Sequence, residues 1–86
     1  MARYSLVFKR SVAKDLRAFP ARDVKRILER IDALAADPRP PGCEKLSGKE
    51  SYLVRQGAYR IIYLVEDKEV CVVVVKVAHR RDAYRE

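Results

Sequence analysis

Arg55, Arg60, His79 and Arg80 fall within or at the ends of stretches that read as strands, and a cation in such a place needs a reason. Arg60 is flanked by Tyr59, Ile61 and Ile62, so it projects from a rigid part of the chain. A guanidinium on such a base suits a two-pronged grip on phosphate, because it stays protonated and offers paired donors. An ion pair of Arg60 with Glu50 or Asp82 would account for the same placement structurally. His79 has an ordinary pKa of about 6.5, so it can pass a proton at neutral pH or serve simply as a structural strand-end histidine. Lys45 and Lys49 lie in a stretch without periodicity and suit contacts to backbone phosphates or to solvent.

The charge balance supports an anionic partner. Nineteen Lys and Arg against twelve Asp and Glu leave +7 on 86 residues. Nucleic acid, an anionic membrane surface and an acidic protein all fit such a field. The excess is concentrated early, with nine basic and four acidic residues in 1–36. Arg10, Lys14 and Arg17 repeat along one helix face, and Arg22, Lys25 and Arg26 begin the next, as electrostatic steering along a nucleic acid or a plain solvated face would require.

Several classes are excluded. With 49% hydrophobic and 36% charged residues, the chain is too apolar for disorder and too charged for a membrane protein. The longest apolar runs, 61–65 and 70–75, are far too short to span a bilayer. Residues 1–10 alternate like a strand and lack the apolar core of a signal peptide. Cys43 and Cys71 are far apart and have only His79 to join them, which supports neither a zinc site nor a disulfide framework. These readings predict a reduced, cytoplasmic protein with one small domain over residues 1–86, no metal and no cofactor.

The elements that must position the cations follow from periodicity. Tyr4, Leu6 and Phe8 alternate with Ser5, Val7 and Lys9, which predicts a strand. Ser11 can cap a short helix carrying Val12, Leu16 and Phe19 on one face, ended by Pro20. From Arg22 to Ala36 the apolar residues Val24, Ile27, Leu28, Ile31, Leu34 and Ala35 repeat at 3.6-residue spacing, the strongest helical pattern in the chain. Asp37-Pro38-Arg39-Pro40-Pro41-Gly42 stops that helix, and a long ordered loop runs to Glu50. Strands are predicted at Tyr52–Arg55, Tyr59–Val65 and Val70–Val77, the last central and covered on both faces. Tyr52, Tyr59 and Tyr63 read as packing residues, and Cys71 as a small buried one. The class is α+β: an N-terminal strand, two helices, then a three-stranded antiparallel meander, with the helices on one face of the sheet. The other face and the tail would form a concavity.

The segment Tyr59-Arg60-Ile61-Ile62-Tyr63, the valine-rich strand and the closing His79-Arg80-Arg81-Asp82-Ala83-Tyr84-Arg85 follow one another in order. In these motifs, its length and its charge the chain resembles the RelE/ParE superfamily of type II toxin–antitoxin toxins, and its closing H-R-x-x-x-Y is similar to the RelE branch. That resemblance implies a RelE-like sheet and a metal-independent, ribosome-dependent mRNA endonuclease that inhibits translation. It implies as partners the ribosome, mRNA and a cognate antitoxin, an acidic and partly disordered segment that would neutralise the +7 charge. It places charge stabilisation on Arg60 and Arg80, and on Tyr84 either proton transfer or stacking on an unpaired base. Arg55 and His79 join them as catalytic candidates, and Lys45, Lys49 and Arg81 as phosphate contacts. Where the family often alternates two basic residues, this chain has Leu53 and then Arg55. The departure leaves open a lower activity, a shifted role for Lys45 or Lys49, or a different target. The alternatives are a ParE-like toxin that inhibits DNA gyrase through protein contacts and an inactive antitoxin-binding module.

Overall fold

The second helix carries most of the apolar surface that a sheet must cover. In the computed structural model, which describes residues 3–46 and 50–81, it spans Ala21–Ala36 (α2) and buries Ile27, Ile31, Leu34 and Ala35. Asp23 in its first turn complements the partial positive charge of the helix N-terminus. Its end is tied to the first strand, β1 (Ser5–Phe8), where the Tyr4 N–H donates to the Ala35 carbonyl at 2.8 Å.

A shorter helix, α1 (Arg10–Arg17), begins directly after that strand. Lys9, not Ser11, is its N-cap, and no side chain caps it. Lys9 donates its N–H to the Val74 carbonyl at 2.9 Å, so the chain turns into the helix as soon as strand pairing ends. Ser11 is therefore already inside the first turn.

The remaining strands are β2 (Glu44–Lys45), β3 (Ser51–Gln56), β4 (Tyr59–Glu66) and β5 (Cys71–His79). The sheet order is β1-β5-β4-β3-β2, with β1 parallel to β5 and the other pairs antiparallel. The sheet thus has five strands: a two-residue strand, β2, lies inside the stretch expected to be loop. Two residues are too few to show a period, and only their pairing with Leu53 and Tyr52 defines them. As expected, both helices pack on one face, over Tyr52, Val54, Tyr59, Ile61, Tyr63, Val65, Val72, Val74 and Val77.

One irregularity sets the layout of the opposite, open face. Along β4 and β5 the partner of Ile62 is Lys76, but that of Tyr63 is Val74, so Val75 is an extra residue. Such a bulge shifts the alternation of the strand by one position. Val72 and Val74 are buried before it and Val77 after it, whereas Lys76 becomes exposed. β5 is an interior strand, but it is not covered on both faces, since Val73 and Val75 are only partly buried.

Candidate functional site

Antiparallel register brings the strand cations together. Arg55 lies directly opposite Arg60, and Arg60 opposite Ala78, so all three positions share the open face. The turn between β3 and β4 is Gly57-Ala58, and Gly57 has φ +60°, as the first position of a tight type II′ hairpin demands. The carbonyl of Ala58 accepts the Arg80 N–H at 2.7 Å, which fastens the residue after β5 to that turn. Arg55, Arg60 and Arg80 then line one groove of about 340 Å³ with Gly57, Ala58 and Tyr59.

The bulge is what permits this. Without the extra residue at Val75, the far end of β5 would present the other half of its side chains to the open face. Asp15 of α1 supports the bulged segment: it accepts the Val77 N–H at 3.3 Å, and Lys76 lies 3.6 Å from its carboxylate. Pairing of β1 with β5 ends at Phe8 and Val74, so Asp15 supplies to Val77 the acceptor that no strand provides there.

His79 takes the other face. It lies opposite Tyr59, and the two rings meet edge to face with centroids 5.3 Å apart. Phe19 packs on Tyr59 from the junction of the helices at 4.7 Å. The Tyr59 hydroxyl donates to Asp23 at 2.7 Å, and this bond is the main reason its pKa is raised. The Arg81 N–H donates to His79 Nδ1 at 3.3 Å, and Arg81 lines a second hollow with Phe19, Pro20, Tyr59 and His79. The structure thus places His79 and Arg81 on the helix side of Tyr59, away from the three arginines.

Lys45 is also elsewhere. Its register partner Tyr52 faces the helices, and its Nζ donates to Glu50 at 3.1 Å. Glu50, one of the two acids considered for Arg60, instead joins Arg39, whose guanidinium reaches Glu50 at 2.7 Å, Asp67 at 2.9 Å and the Tyr52 hydroxyl at 2.8 Å. That network lowers the Glu50 carboxyl to about 2, first through Arg39, and keeps Arg39 firmly protonated. The Tyr63 phenol is raised chiefly by burial and donates to the Pro38 carbonyl at 2.8 Å. Lys49, Tyr84 and Asp82 lie outside the described residues.

Two acids shape the groove without having been singled out in the sequence. Asp15 is the lone acid among the cations of α1, and it stands three residues from the fully buried Val12. That spacing puts it on the inward side of the helix and is the signal that could have found it. Glu44 forms an ion pair with Arg55, and no local pattern marks it. Among the described residues, no group of three or more His, Cys, Asp and Glu is placed to hold a metal ion, and no helix is long and apolar enough to cross a membrane.

Known proteins share the fold and the sequence pattern of this chain. Residues 6–84 match the family of ParE toxins of the type II toxin–antitoxin system parDE. The chain is 30% identical to Toxin RelG of Mycobacterium tuberculosis, over 95% of its own length and 97% of that protein's. It is 29% identical to the putative toxin RelE1 of Methanocaldococcus jannaschii, over 96% and 97%. Among solved structures, the archaeal RelE–RelB complex of Pyrococcus horikoshii superposes with a TM-score of 0.83 at 30% identity, covering 98% of this chain and 99% of that one.

Proposed function

The chain belongs to the RelE/ParE superfamily of type II toxin–antitoxin toxins, and from that premise we propose that it cuts messenger RNA on the ribosome and so stops translation. The observation that carries this reading is the convergence of Arg55, Arg60 and Arg80 on one open-face groove. The 2′-hydroxyl of a nucleotide attacks the adjacent phosphorus, its proton passes to a base, and the 5′-oxygen leaves with a proton from an acid. Charge rises on the phosphorane between these events, and arginine donors held on strands are preorganised to meet it. Arg60 and Arg80 carry this role, with Arg55 beside them. Tyr84, four positions after Arg80 in the sequence, is the candidate for proton transfer or base stacking, and Lys49 for a phosphate contact. His79 and Arg81 act instead from the helix side, where His79 braces the ring of Tyr59.

The partner is an acidic antitoxin segment whose charge answers the +7 of the toxin, and the protein acts in the cytoplasm. The RelE–RelB complex, in which a similar chain is paired with RelB, supports an antitoxin partner. A second reading is inhibition of DNA gyrase. It is favoured by the match to ParE toxins and by Leu53, a buried apolar residue where the RelE pattern often has a basic one.

Primer extension on mRNA in a purified translation system decides between them. Cuts confined to the codon in the ribosomal A site, absent without ribosomes and lost in Arg60→Ala, are the expected result. Intact mRNA together with blocked gyrase supercoiling would establish the second reading.

A further inference from the structure

We propose that Glu44 is the internal counter-ion of a phosphate seat at Arg55 and thereby sets how tightly the groove holds an RNA phosphodiester, an inference that rests on the RNA-cleaving reading above. β2 offers only Glu44 and Lys45. Register places Glu44 opposite Leu53 and Lys45 opposite Tyr52, so alternation sends Glu44 to the open face and Lys45 to the helix face. Glu44 is there a diagonal neighbour of Arg55, within reach of a long side chain, and its carboxylate accepts from Arg55 Nη1.

The pair has the character of a placeholder. Arg55 faces Arg60 directly across the strands, and like charges so placed repel. Glu44 offsets that repulsion while the groove is empty of substrate. Both partners are about half exposed, at 54% and 49%, so water screens their attraction and exchange is easy. A phosphodiester brings the same charge and two acceptor oxygens that match the guanidinium fork. To take both prongs of the fork it must displace Glu44 from Nη1, and the apparent affinity falls by the fraction of Arg55 already engaged. The contrast with Glu50 is instructive: that carboxylate is gripped by Arg39, Lys45 and Tyr52 together and is no placeholder.

The test is a double-mutant cycle with a fluorescently labelled RNA trinucleotide, titrated into the full chain and its Glu44→Gln, Arg55→Ala and doubly substituted forms. Glu44→Gln is expected to tighten binding about three- to fivefold, the scale of one exposed ion pair, and to give no gain when Arg55 is absent. An equal gain in both backgrounds, no gain in either, or no binding by any of the four proteins would overturn the proposal. So would a gain seen with a glutamate-rich peptide and not with the trinucleotide, which would assign the seat to an acidic protein segment. Ribosome-dependent cleavage by the same four proteins is scored separately: a cycle that behaves as expected without cleavage removes the endonuclease reading and leaves the seat, and cleavage without the cycle does the reverse.

Discussion

At one end of the sheet Arg39 is held from three sides, by Glu50, Asp67 and the Tyr52 hydroxyl, and its guanidinium also lies over the Tyr52 ring, 5.3 Å from the centroid. At the other end three arginines share one groove, where Arg55 directly faces Arg60. The same side chain is a fastener in the first place, tying the long loop before β2 to the ends of β3 and β4. In the second it is a concentration of positive charge on a rigid floor, offset at Arg55 by Glu44. The difference teaches that function is read from how arginines are placed relative to one another, not from their number.

The largest effect should come from removing a groove arginine. Arg60→Ala is expected to slow cleavage about 10²- to 10³-fold, as loss of a donor to a developing oxyanion does. Quench-flow kinetics on mRNA held by ribosomes check it. Next comes Asp15→Ala, which leaves the Val77 N–H without its acceptor and loosens the segment that leads to Arg80. About a tenfold loss of cleavage is expected, since small misplacements cost much in rate, together with faster hydrogen exchange at Val77. Unchanged exchange would remove Asp15 from the account.

Arg39→Met probes the opposite end and should reverse the pattern, lowering the melting temperature by a few degrees while cleavage by the folded protein persists. It should also alter the response to acid. Glu50 titrates in the native protein at about 2, below its ordinary 4.5, and Asp67 is likewise lowered by Arg39. The stability these groups contribute is present above the ordinary carboxylate range and is lost as pH falls from there toward about 2. Denaturant titrations across that window should show a slope in the parent chain and a flatter one in Arg39→Met. The smallest effect lies outside both ends. Val70 adopts φ +50°, a left-handed conformation that suits a β-branched residue poorly. Val70→Gly should stabilise the chain by no more than about 0.5 kcal/mol, the relief of the left-handed valine less the entropy cost of glycine, without touching cleavage.

Much of the fold was legible because its signals are local. The apolar spacing from Val24 to Ala35 specified α2 whatever it packed against, and Pro20 marked the break between the helices. β2 was not legible, for its two residues owe their strand character to Leu53 and Tyr52 across the ladder. The site was partly legible. Strands predicted to end at Arg55 and to resume at Tyr59 announced a hairpin, but only the register of the actual turn, Gly57-Ala58, sets Arg55 opposite Arg60; a turn one residue earlier would have set Arg60 opposite Leu53. His79 and Arg80 are neighbours and must point to opposite faces of a strand, but which one joins Arg60 depends on the bulge at Val75. Four successive valines, Val72 to Val75, conceal that extra residue, because a uniform run has no phase to shift.

The central claim is that the groove arginines stabilise the transition state of RNA cleavage and do more than hold RNA. Its most direct test is the single-turnover cleavage rate on ribosomes programmed with mRNA, measured for the parent chain and Arg60→Ala beside the affinity of each for the same ribosomes. A rate that falls at least a hundredfold while affinity stays within about threefold is the predicted result. A loss of affinity as large as the loss of rate, or a parent chain that binds and never cuts, would contradict it.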